Sequence, residues 1–271
     1  AELISERLVP FLLLVTAVLL VRMGLQIFNR EELLGRDIDQ LRIRWIFGLV
    51  WKRFTGKTAE SKYPTVGQWY RQTFGIMKSL RQPMALLLIA LAGAIFFGVF
   101  LSHRFPINAS FSGGLSGESM SENLANLSGA LAGLPVVIFL QNIRVAALQA
   151  ILGIFTLGVS DVLIFMFPWA LIGFLSGQLQ LMGGNPIQFF VAAVLPHAVI
   201  ELPALLISAA AILRWHATIL SPPPNGTVGE SWLLAAADFG RVFVGLVVPL
   251  LIAAAFVEAM VTPWVFAQVY G

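Results

Sequence analysis

Six stretches of the chain run apolar for about 20 residues, the length a helix needs to cross a bilayer. They cover roughly residues 8–28, 83–101, 134–159, 161–179, 187–213 and 237–261. The runs are continuous and rich in Leu and Ala, without the alternation that membrane strands require, so the pattern predicts helices. The expected fold is all-α: a polytopic membrane bundle of about six transmembrane helices, one followed by a five-helix domain. This divides the chain into 1–29, an N-terminal transmembrane helix; 30–82, a basic segment; and 83–271, the five-helix membrane domain.

Composition closes the alternatives. Of 271 residues 58% are hydrophobic and 11% charged, against about 25% charged in a soluble domain, and mean hydropathy is +0.85. A water-facing surface cannot be built from this inventory. The absence of cysteine removes disulfides, thiolate metal sites and cysteine nucleophiles together.

Charge gives the orientation. Eleven of the 17 Lys and Arg residues, from Arg30 to Arg81, fall between the first two spans. The positive-inside rule makes segment 30–82 cytoplasmic, with loop 102–133 and the C-terminus outside. The expected location is the plasma (inner) membrane. The basic charge then reads as an orientation signal with affinity for anionic lipid, and no nucleic-acid partner is expected.

Within the basic segment, Leu34, Ile38, Leu41, Trp45 and Leu49 recur near helical spacing, with arginines elsewhere. Residues 66–80 carry Trp69, Tyr70, Phe74 and Met77 and run straight into the second span. Both read as helices lying in the membrane interface and anchoring the bundle. The sharper alternative is a docking surface made of Arg42, Arg44, Trp45, Trp51, Lys52 and Arg53. The first residue is not Met, and 8–28 lacks the cleavage site of a signal peptide. A fragment, a processed form and a chain numbered from a later residue all stay open.

Charges at mid-bilayer cost about 2.5–3.5 kcal/mol each on insertion scales, so each calls for a partner. The candidate intramembrane network is Asn142, Arg144, His197, Glu201, Asp238, Arg241 and Glu258. Arg144 and Glu201, at comparable depth on neighbouring spans, form the favoured pair. Pro196 and Pro203 flank the His197–Glu201 turn and predict a helix break there, kinked or re-entrant. Asn185-Pro186 begins that helix after a Gly183-Gly184 turn.

Catalytic and metal readings find little footing. His197 and Glu201 have the i,i+4 spacing of a metal-binding helix, but only three histidines exist and position names no third ligand. Structural hydrogen bonding is the preferred role, and no metal or cofactor is expected. Gly114-Leu115-Ser116-Gly117 matches the Gly-x-Ser-Gly of rhomboid-type proteases but lies in a polar loop, and no phosphate-binding loop is present. Gly93, Gly98, Gly153, Gly158, Gly173 and Gly177 suit close helix packing.

Three blocks carry a resemblance. Asn142-Ile143-Arg144-Val145-Ala146, then Leu195-Pro196-His197 with Glu201-Leu202-Pro203-Ala204, then Glu258-Ala259-Met260-Val261-Thr262-Pro263 make residues 84–263 resemble the stage II sporulation protein M family. Ala198 stands where that family usually has Gly, and Pro168-Trp169 where it usually has Asn-Gly. The family's namesake is similar to a scaffold that recruits peptidoglycan-remodelling enzymes. Residues 8–28 with Asn29-Arg30-Glu31-Glu32-Leu33-Leu34 resemble the end of an ABC-type export permease. These resemblances imply a non-enzymatic membrane subunit of an export or envelope assembly, with the lipid bilayer, other membrane subunits and a separate ATP-binding-cassette subunit as partners. The alternatives are a scaffold for cell-wall enzymes and, more distantly, an intramembrane hydrolase.

Overall fold

The computed structural model describes residues 43–57, 62–107, 133–221 and 227–270. The expected span at 8–28, Arg42 and the Gly114–Gly117 segment lie outside the described residues. Among those described there is no strand. Five helices are long and apolar enough to cross a membrane: Val66–Arg104, Leu134–Thr156, Val159–Leu181, Pro186–Leu220 and Val228–Tyr270.

Elements are numbered here in chain order. Helix α1 is Ile43–Thr55 and α2 is Val66–Ile76; a 3-10 turn, Met77–Leu80, joins α2 directly to α3, Arg81–Arg104. Helices α4 (Leu134–Thr156) and α5 (Val159–Leu181) are single rods. Helices α6 (Pro186–Leu220) and α7 (Val228–Tyr270) are composite. Three single π-helical turns interrupt these two: Phe190–Val194, Phe243–Val247 and Val257–Val261.

Local chemistry sets the boundaries. Thr65 accepts from Gln68 N while Gln68 reaches back to Thr65 N, a capping box that starts α2. Thr227 caps α7 by accepting from Glu230 N. Asn185 caps α6 by accepting from Ile187 N and Gln188 N, after Gly183 has turned the chain at φ +80°. Between α4 and α5 the chain reverses in two left-handed residues, Leu157 (φ 52°) and Gly158 (φ 94°).

The helices alternate in direction, so the bundle has two ends. One, called here the elbow end, holds α1, α2, the Gly158 turn and the start of α7. The far end holds the C-termini of α3, α5 and α7. The parallel pair α3 and α5 packs through glycine: a Cβ at Gly98 would strike the Ala170 carbonyl oxygen, and one at Gly173 the Ile95 carbonyl. Gly173 and Gly177 form the small-xxx-small spacing that lets backbones meet in lipid. At the far end Gln178 is buried; its amide donates to Ser102 O and Phe105 O and its carbonyl accepts from Ile107 N, closing the end of α3.

Outward faces are apolar. Ile89, Phe96, Phe155 and Phe167 stand 71–80% exposed, a surface that belongs in lipid or against another protein. At about 1.5 Å per residue, the 43 residues of α7 extend about 65 Å, twice the thickness of a hydrocarbon core. The surplus lies at the elbow end, where α7 packs on α1 and α2.

The predicted break in the fourth of these spans is corrected in position. The span is not re-entrant: it runs helical from Pro186 to Leu220. The irregularity is the π turn Phe190–Val194, upstream of both prolines. Pro196 sits in the first turn of the α-segment that follows, where its missing N–H costs least. Pro203 lies inside an uninterrupted segment, Leu195–Leu220.

Candidate functional site

Two polar regions sit within this apolar bundle. At the elbow end, Asp238 is 3% exposed and accepts from Arg53 Nε at 2.6 Å and Arg53 Nη2 at 2.9 Å, with Arg214 Nη1 at 3.3 Å. One turn on, buried Arg241 donates to Arg53 O (3.2 Å), Trp69 O (3.1 Å) and Gln72 Oε1 (3.0 Å), and lies over the Trp69 ring. Trp69 Nε1 donates to Phe54 O at 2.9 Å. The last carbonyls of α1 are thus consumed by Arg241 and Trp69. The hydrogen bond to Asp238 raises the Arg53 pKa above its ordinary value, against partial desolvation. Stability drawn from a raised arginine pKa is complete below the ordinary arginine range and lost only above it, so this joint stays charged at every physiological pH.

A second buried pair lies at the same end. His216 Nδ1 meets Asp161 Oδ2 at 2.6 Å, both fully buried, and Gln149 Nε2 donates to Asp161 O at 2.6 Å. Gly153 makes room: a Cβ there would collide with both side chains.

The other region is a cavity of about 500 Å³ near mid-bundle, walled by α4, α5, α6 and the second half of α7. Its polar lining is Gln141, Asn142, Trp169, His197, Glu201 and Glu258. His197 Nε2 lies 3.8 Å from Glu201 Oε2, beyond hydrogen-bond length. The Asn142 amide faces the Glu201 carboxyl. Ligand atoms of His197, Glu201 and Glu258 fall within 4.8 Å of one another. His197 Nδ1 meets Thr262 Oγ1 at 3.2 Å, and the Thr262 hydroxyl is directed at Val257 O at 3.3 Å. Both π turns nearest the cavity serve it: Val257–Val261 carries Glu258, and Phe190–Val194 ends just before His197. Single π turns inside α-helices recur at functional sites.

The predicted network therefore divides. Asn142, His197, Glu201 and Glu258 come together, whereas Asp238 and Arg241 belong to the elbow joint. Arg144 joins neither. The expected Arg144–Glu201 pair does not form: Arg144 is exposed on the outward face of α4 and has no ion pair among the described residues, because Asn142, not Arg144, occupies the inward face at that level. The docking set divides too. Arg44, Trp45, Trp51 and Lys52 are exposed on α1, but Arg53 turns inward to Asp238.

Sequence reasoning missed Thr262, Trp169 and Arg214, and the joining of Glu258 to His197 and Glu201. Thr262 does lie four residues after Glu258 on a helix, which is the signal that points to it.

A membrane-embedded helical bundle with a half-buried His–Glu–Glu cavity defines the class: a multi-pass all-α membrane protein. The family model for stage II sporulation protein M matches residues 84–263, and the chain belongs to that family. No curated protein and no solved structure matches the chain.

Proposed function

We propose that this chain is a non-enzymatic membrane subunit of an ABC-type export or cell-envelope assembly, packing beside further membrane helices. The observation that carries the reading is Arg144. It lies near the middle of the 23-residue α4 and faces outward. Leu140, Leu148, Ile151 and Phe155 are exposed with it. A lone guanidinium at that depth costs about 2.5–3.5 kcal/mol on insertion scales, which a carboxylate or carbonyl on a neighbouring helix would offset. The exposed Ile43, Trp45, Phe47 and Trp51 on α1, beside Arg44 and Lys52, suit contact with headgroups or with a cytoplasmic ATP-binding subunit.

The chain has no cysteine, so a single Cys at Leu140 or Leu148 gives a clean cross-linking handle in native membranes. Mass spectrometry of the adducts and of the complex purified in mild detergent then tests the reading. Adducts with another membrane protein, and a stoichiometric ATP-binding-cassette subunit in the complex, are expected. Cell-wall enzymes in its place would favour the scaffold. Adducts confined to residues 1–42 of the same chain, or to lipid, would end the subunit reading.

A further inference from the structure

We propose that His197, Glu201 and Glu258 bind a divalent transition-metal cation, of the zinc type, inside the membrane cavity. The argument starts from the Thr262 hydroxyl, which has one hydrogen to give. With that hydrogen given to Val257 O at 3.3 Å, Thr262 Oγ1 is free to accept from His197 Nδ1–H at 3.2 Å. That arrangement, the Nδ1–H tautomer, leaves the Nε2 lone pair, 3.8 Å from Glu201 Oε2, available to a cation.

A His197 ring nitrogen, a Glu201 oxygen and a Glu258 oxygen all lie within 4.8 Å of one another. With both carboxyls ionised, like-signed lone pairs at this spacing are brought together by a positive centre. A cation held about 2.0–2.2 Å from each would place ligand atoms about 3.4 Å apart in a tetrahedron. Rotation of two glutamate side chains across the cavity closes that difference. Imidazole with two carboxylates, the fourth position open to water, is a zinc-type ligand set. The surroundings agree: Thr262 fixes the ring and Asn142 faces Glu201, as outer partners of metal ligands do. Trp169 lines the same cavity, is 8% exposed, and its indole N–H has no acceptor among the described residues.

The full chain, reconstituted in lipid nanodiscs and stripped with chelator, would be titrated with zinc alone and its metal content measured after washing. About one zinc per chain is expected, with cobalt(II) substitution giving the absorption of an imidazole-ligated site. Glu258→Gln and Glu201→Gln should each weaken binding at least about tenfold. Thr262→Val should weaken it by about 10- to 100-fold, the usual effect of removing an outer partner. The chelator-stripped wild type, monodisperse by size exclusion, provides a readout independent of whether any variant folds. If it retains no zinc above the level of a His197→Asn/Glu258→Gln chain, or if a monodisperse Glu258→Gln chain binds as wild type does, the assignment is overturned and the three groups share protons instead.

Discussion

The elbow joint and the mid-bundle cavity use the same few residue types to opposite ends. At the joint, Asp238 meets two guanidiniums and Arg241 spans two backbone carbonyls and an amide, with contacts of 2.6–3.3 Å. In the cavity, three titratable groups from two helices converge without closing; the nearest separation of His197 from Glu201 is 3.8 Å. Polar groups that satisfy one another hold a structure together. Titratable groups that converge on a shared cavity mark a candidate binding site. The joint is therefore read as structure and the cavity as function.

The sharpest way to break this distinction is at Asp238. Asp238→Ala leaves Arg53, Arg214 and buried Arg241 facing one another, and removing one partner of a buried ion pair costs about 3–5 kcal/mol. Arg53 is half exposed, so the expectation sits at the lower end, about 3 kcal/mol, read as a large fall in the thermal midpoint in detergent. Smaller, but still structural, is Gly98→Ala. The added methyl meets the backbone of Ala170 and Phe174, and overpacking of this kind costs about 1–3 kcal/mol. Gly93→Ala, with nothing within 4 Å of a new Cβ, should stay within about 0.5 kcal/mol of wild type in the same melt. Removing the α7 cap with Thr227→Ala should cost about 1 kcal/mol. Least of all should be Glu258→Gln, within about 0.5 kcal/mol of the chelator-stripped wild type on the thermal axis, while zinc retention is lost. A Glu258→Gln melt that drops as far as Asp238→Ala would erase the contrast between the two regions.

Much of the fold is legible in the sequence because the bilayer imposes a length and a polarity that leave few choices. The five spans from 83 onward, the Asn185 cap after Gly183-Gly184, and residues 66–80 running into α3 all follow from local chemistry. What local chemistry does not reach is azimuth. Asn142 and Arg144 are two residues apart on α4, so they point about 200° apart; which one faces inward depends on tertiary packing. Both carry a polar group, and the favoured ion pair chose the wrong one. The same blindness hid the grouping of Glu258 with His197 and Glu201, since Glu258 lies within the π turn Val257–Val261 and its direction depends on that turn. Four members of the site were in the predicted network, but their grouping depends on helix rotation. Arg53–Asp238 was missed because 185 residues separate its partners.

The glycine-lined contact of α3 with α5 has a consequence for biogenesis. These two helices are not consecutive: residues 105–158, α4 among them, come between. As the chain emerges from a ribosome, α3 enters the bilayer with its binding groove uncovered, and α4 arrives without filling it. Only when α5 has cleared the translocation machinery can backbone meet backbone, so the closest packing in the bundle is a post-insertional event. A bulky residue at Gly98 would leave the length and polarity that insert each span untouched, yet keep α3 from closing on α5 and leave that seam open to the quality-control proteases of the membrane.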